Sequence, residues 1–117
     1  LALKEFFRDN PRIVGLPSGF PRGFVEAPLP SGDKLDVLFH ARNRMLAVEV
    51  KSRISNVVDL TRGLFQCVKY RAVMEAERAF KSDSYRIDAV LVVGRSFPDG
   101  LKPLQNSLGV EVVEVTT

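Results

Sequence analysis

Residues 87–93 read Ile-Asp-Ala-Val-Leu-Val-Val, a nearly unbroken apolar and β-branched run. Such a run reads as a central strand covered on both faces. The rest of the chain must therefore supply neighbouring strands and the helices that cover them. Two alternating runs precede it. In residues 35–41, Leu35, Val37 and Phe39 face one way, and Asp36, Leu38 and His40 the other. In residues 45–51, Leu46, Val48 and Val50 share one face, and Ala47, Glu49 and Lys51 share its opposite. Arg42-Asn43-Arg44 is a tight connection, so the two runs form a hairpin. Its apolar face is expected to pack on a helix, leaving Asp36, Glu49 and Lys51 exposed on the second face.

A long helix is expected next. Asn56 is a candidate N-cap with Asp59 three residues on, an imperfect capping box. The pattern runs to about Phe80 without proline, with Gly63 its weak point. Leu60, Leu64, Cys67, Val68, Arg71 and Ala72 trace one side. Arg62, Gln66, Lys69, Tyr70 and Val73 trace the neighbouring one. Residues 1–9 read as a short helix with Leu3, Phe6 and Phe7 on its apolar side, stopped by Asn10-Pro11. Residues 15–34 hold four of the seven prolines and four of the eight glycines. They read as loop, with a short edge strand around Phe20, Phe24 and Val25. Pro98 opens a short helix through Leu104 and Leu108, and Val110 to Val115 is a last strand, with Glu111 and Glu114 marking an exposed edge. The order predicts a single α/β domain over residues 1–117 with a mixed central sheet flanked by helices. Its core begins at about residue 34, and residues 1–33 form an N-terminal helix and a Pro/Gly-rich segment.

A chain of 117 residues, 45% apolar, can bury one sizeable core. Nothing approaches a membrane-spanning run, and no signal peptide is expected, so a cytoplasmic location is predicted. The start at Leu1 sets the expectation of a trimmed terminus or of one domain of a longer protein. Cys67, the one cysteine, can form no internal disulfide and is expected in the core. One cysteine and one histidine exclude a His/Cys zinc cluster. A net charge of +3 and a pI near 9.3 permit a polyanionic partner. Arg42, Arg44, Lys51, Arg53, Arg62, Lys69 and Arg71 fall in the central third. No glycine run forms a phosphate-cradling loop, and no helix-turn-helix or zinc finger is present to read bases.

Asp36 and Glu49 bring carboxylates to one point from adjacent strands, and the Val50 carbonyl lies beside them. Mg²⁺ asks for such hard oxygen donors, one or two carboxylates completed by waters and phosphate oxygens. Lys51, two residues from Glu49, points the same way and can orient a water or stabilise developing negative charge. The bland alternative is that Glu49-Val50-Lys51 is solvated charge on an open strand, with Lys51 in a salt bridge to Glu49 or Asp36. His40 is read as a structural histidine, Asp33 as a turn residue, and Phe20 and Phe24 as core. Asp88 begins a buried strand and has no evident partner, since Arg86 is judged to point the wrong way.

These residues carry a resemblance. Asp36 within Lys34-Leu35-Asp36-Val37, followed by Glu49-Val50-Lys51, resembles the motif of the PD-(D/E)xK, or restriction endonuclease-like, nuclease superfamily. The order of elements over residues 34–93 is similar too. Gln66 and Tyr70 resemble a Gln and Tyr pair that many members carry on the next helix. The proline before the first acid is absent here, and the acid many members carry on the first helix corresponds to Glu5 or Asp9. The resemblance implies a metal-dependent nuclease that hydrolyses DNA phosphodiester bonds with Mg²⁺ (or Mn²⁺). Asp36 and Glu49 would bind the metal with the Val50 carbonyl, and Glu5 is a further candidate. Lys51 would act on the water, and Gln66 would hold the site or the substrate backbone. Arg42, Arg44, Arg53, Arg62, Lys69 and Tyr70 are the candidate contacts to DNA. A homodimer, through the last strand or the short C-terminal helix, would help so small a domain grip a duplex. Two rivals stand beside this reading: a nucleic-acid-binding module of the same fold that does not cut, and a protein of the structural or immunity type whose charges recognise another protein.

Overall fold

The computed structural model describes residues 2–115. Helix α1 (Ala2–Asp9) and one 3-10 turn (Pro11–Val14) lead into strand β1 (Phe24–Pro28) and the hairpin β2 (Lys34–Ala41) and β3 (Arg44–Lys51). Helix α2 (Val57–Phe80) crosses to β4 (Arg86–Val93). A 3-10 turn (Asp99–Leu101) and α3 (Lys102–Leu108) cross to β5 (Glu111–Glu114). The five strands form one sheet in sequence order. β1, β2 and β3 are antiparallel neighbours, and β3, β4 and β5 are parallel. Each parallel pair is joined through a helix, as parallel strands require. The result is the mixed sheet flanked by helices that the sequence predicts.

The central strand is covered on both faces. On one side Leu60, Leu64, Cys67 and Met74 of α2 pack on Ala47, Ala89, Leu91 and Val93. On the other, Phe7 of α1 with Val14 and Leu16 packs on Val37, Phe39, Val48, Val90 and Val92. The hairpin therefore has no open second face, contrary to expectation, and Glu49 is only 5% exposed.

Several local expectations change. The edge strand begins at Phe24 and leaves Phe20 in the preceding loop, where its ring packs edge-on to Phe39 at 6.4 Å. Phe24 is exposed rather than core. On α1, Phe7 is buried and Phe6 exposed. The inner stripe of α2 takes in Tyr70 and Met74 and leaves Ala72 outside. Its capping box is complete, since the Asn56 side chain accepts from the Asp59 N–H while the Asp59 carboxylate accepts from the Asn56 N–H. Arg86, two residues from Asp88 and so on the same strand face, does meet it, Nε to Oδ2 at 2.8 Å. Among the described residues no helix is long and apolar enough to cross a membrane.

Gly63 proves to be a packing requirement rather than a weak point. A Cβ there would stand 2.8 Å from Leu91 Cδ1 and 3.2 Å from Lys51 Cε, so its absence lets α2 lie close on β3 and β4. Alanine would gain about 1 kcal/mol of helix propensity but would overpack a site where such insertions cost about 1–3 kcal/mol. Gly63→Ala is expected to lower stability by roughly 1 kcal/mol in urea denaturation. A gain of similar size would show that the helix is free to move away.

Candidate active site

The site begins with a missing rung. The β2–β3 ladder pairs Ala41 with Arg44, Phe39 with Leu46 and Val37 with Val48. Continued in the same register, the next rung of that kind would join Leu35 to Val50. Instead the Val50 N–H donates to Asp36 Oδ2 at 2.8 Å. A side chain has taken the place of a backbone carbonyl. Leu35 then leaves the face it would share with Val37 and Phe39 and joins the α2 core. The expectation that these three residues line one face fails at this slip. The β1 side is disturbed as well. Glu26, opposite Asp36 in the β1–β2 register, has φ 52°, a left-handed backbone rare for a non-glycine residue.

The register, continued, sets Asp36 opposite Glu49, and the slip fixes the Asp36 carboxylate in the gap between the two strands. Ala47, Glu49 and Lys51 line the α2 side of β3, and Lys51 Nζ lies 3.4 Å from Glu49 Oε2. Burial first, and the Asp36 charge second, push the Glu49 carboxyl up to about 7; Lys51 opposes both and does not win. α2 closes the site from above. Gln66 turns its Oε1 inward, buried and without a hydrogen-bond partner. Tyr70 is buried, and its hydroxyl is pushed to higher pKa by desolvation and then by the charges of Glu49 and Asp36. Asp36, Glu49, Lys51 and Tyr70 thus belong to one region between β2, β3 and α2, and Gln66, at helical spacing from Gly63 and Tyr70, lies on the same side of α2. Cys67 lies behind them in the core, its thiol pushed up to about 12 chiefly by burial.

Sequence reasoning missed Lys4. Its ammonium reaches Asp36 Oδ1 at 2.8 Å and Glu26 Oε1 at 2.7 Å, and these two carboxylates, Asp36 first, raise its pKa. Its spacing from Leu3 and Phe7 places it beside the buried stripe of α1, the one signal that could have pointed to it. Glu5, the sequence candidate on this helix, lies on the exposed side of α1, and Asp9 pairs with Arg8 and Arg22. The side chain that α1 sends to the acid pair is a cation and not an acid.

The predicted DNA contacts divide. Arg53 is exposed in the loop that leaves β3 beside Lys51. Arg62 is exposed on the first turns of α2, 3.9 Å from Asp59. Lys69 pairs with Asp33 of the β1–β2 turn at 3.0 Å. Arg42 and Arg44 stand at the opposite end of the hairpin. From Arg44 to Glu49 the strand rises about 16 Å, and Arg44 is turned to Asp88 at 3.6 Å. Closeness in sequence to Glu49 misplaced them, because a hairpin turn lies at the far end of its strands.

The donors suit a hard cation. Among the described residues no group of three His, Cys, Asp or Glu gathers. Two carboxylates and the Val50 carbonyl remain. That carbonyl points to the β2 side of the strand, as the Val50 N–H does. Mg²⁺ accepts so small a set because it keeps waters.

The same fold occurs in a repair endonuclease from Pyrococcus abyssi. Its crystal structure matches with a TM-score of 0.67 at 20% identity, over 97% of this chain and 45% of that one. The chain thus spans less than half the length of that protein, and at this identity the likeness is one of fold. No protein-family model matches the sequence, and no curated protein does.

The Glu49 environment sets a pH dependence. Between the ordinary value of 4.5 and about 7, the folded chain keeps a proton that the unfolded chain has lost. Stability therefore falls as pH rises through this window, by up to about 3 kcal/mol, and is level above it. Glu49→Gln is expected to remove that fall and to be the more stable protein at pH 8, measured by denaturant titration across pH. Parallel curves for the two proteins would contradict it.

Proposed function

We propose that this chain is a metal-dependent nuclease of the PD-(D/E)xK kind, hydrolysing DNA phosphodiester bonds. The observation that carries the reading is the convergence of Asp36 and Glu49 beside Lys51, in a place where the buried Glu49 carboxyl is short of positive charge. The fold of the repair endonuclease supports it. Asp36, Glu49 and the Val50 carbonyl would hold Mg²⁺ or Mn²⁺. The metal would supply charge neutralisation at the phosphoryl group and a water of lowered pKa. Lys51, held by Glu49, offers its ammonium to that water or to charge developing on the phosphate oxygens. The unpartnered Gln66 Oε1 can accept a hydrogen bond from a water. Arg53, exposed just after β3, and Arg62, exposed on the first turns of α2, would contact phosphates, and Lys69 would join them on leaving Asp33. Arg42 and Arg44 would at most meet a distant part of the duplex. A homodimer would lengthen the grip on the duplex.

One observation favours the non-cutting module. Lys4 already neutralises Asp36, so a protein that only binds DNA needs no metal there. DNA cleavage with Mg²⁺ or Mn²⁺, over single-stranded, duplex, flapped and branched substrates, separates the two. Glu49→Ala and Lys51→Ala are each expected to lower cleavage by about 10²-fold or more while salt-sensitive binding persists. Binding without cleavage by the wild type on every substrate would establish the module instead.

A further inference from the structure

Both oxygens of Asp36 are engaged. Oδ2 accepts from the Val50 N–H, a bond built into the sheet. Oδ1 is left for any other partner, and Lys4 Nζ stands 2.8 Å from it. The same ammonium is 2.7 Å from Glu26 Oε1. Glu26 reaches it from a left-handed backbone, φ 52°, inside an edge strand. Such a conformation is unfavourable for a non-glycine residue and persists where something holds it. Three elements, α1, β1 and β2, thus meet in one contact that serves no core. Lys4 is partly exposed, its side chain 27% accessible, so it can move without opening either apolar layer. Lys51 completes the set on the far side of Glu49.

We infer that Lys4 is a resident counter-ion for Asp36 which a divalent cation displaces, the ammonium withdrawing onto Glu26. The inference rests on the metal-site reading above and adds to it a competitor and a place for that competitor to go. Glu26 acts as the acceptor that keeps Lys4 paired in both states, which accounts for the backbone conformation it holds. The metal-free site then has an ammonium at each end, Lys4 at Asp36 and Lys51 at Glu49. Among the described residues, the first alone is paired with a second carboxylate. The consequence is an affinity for divalent cations set by α1, outside the two strands that carry the ligands.

Calorimetric titration of Mn²⁺ into the intact chain tests it, with side-chain ammonium NMR of Lys4 during addition of diamagnetic Mg²⁺. Lys4→Met is expected to tighten Mn²⁺ binding by roughly tenfold or more, since a unit charge in direct contact is removed. Lys34→Met deletes the same charge two residues from Asp36 without the contact, and is expected to change affinity by less than about threefold. Glu26→Gln removes the retreat and is expected to weaken binding, which keeps the test alive should Lys4→Met fold poorly. In the wild type the Lys4 ammonium resonance should shift as Mg²⁺ saturates. Metal binding with an unmoved Lys4 resonance, equal effects of Lys4→Met and Lys34→Met, or tighter binding by Glu26→Gln would overturn the inference and leave the metal site standing. Failure of wild type and Lys4→Met alike to bind Mn²⁺ would overturn both.

Discussion

The hydrogen bond from the Val50 N–H to Asp36 Oδ2 is the constraint from which the site follows. A buried backbone N–H must have a partner. At this rung the partner is a carboxylate, so β2 and β3 part while the donor stays satisfied. Parting turns Leu35 into the α2 core and fixes the Asp36 carboxylate between the strands, beside Glu49. It also frees the Val50 carbonyl side of β3 from regular pairing. Had Leu35 kept its rung, Asp36 would still stand opposite Glu49, but its carboxylate would not be held at the Val50 N–H. The bond thus converts a local sheet defect into a fixed position for one acid.

Electrostatics decides what such a position is good for. Asp36, Glu49 and Glu26 face Lys4 and Lys51, three carboxylates to two ammoniums. Desolvation of Glu49 outweighs the attraction of Lys51, which is why its carboxyl rises to about 7 while the neighbouring amine is only 3.4 Å away. A site with this imbalance holds a proton near neutrality. On the proposed reading it exchanges that proton for a cation of higher charge, and binding tightens as pH rises.

The sheet, the capped helix and the buried central strand were legible because each has a strong periodic or capping signal. The run at residues 87–93, the Asn56 and Asp59 box and the alternation of β3 all come from local rules. The convergence of Asp36, Glu49 and Lys51 followed from alternation and a tight connection at Arg42-Asn43-Arg44, of which the structure takes Arg44 into β3. What stayed hidden was non-local. The slip at Asp36 is invisible to a period-two pattern, which assigns Leu35 to the wrong face. Lys4 is 32 positions before Asp36 and enters the site only because α1 packs across the sheet through Phe7. Arg42 and Arg44 were misjudged for the converse reason, being near in sequence and far along the strand. Gly63 read as a flaw until the close approach of α2 to Leu91 and Lys51 gave it a purpose.

The central claim is that β2 and β3 present one divalent-cation site at Asp36 and Glu49. Anomalous diffraction from crystals of the intact chain soaked in Mn²⁺ tests it most directly. A single strong peak is expected within bonding distance of Asp36 and Glu49, about 2.2 Å from their oxygens, and absent in Glu49→Ala crystals treated alike. A soaked crystal with an empty pair, or with manganese only at surface carboxylates elsewhere, would contradict the account.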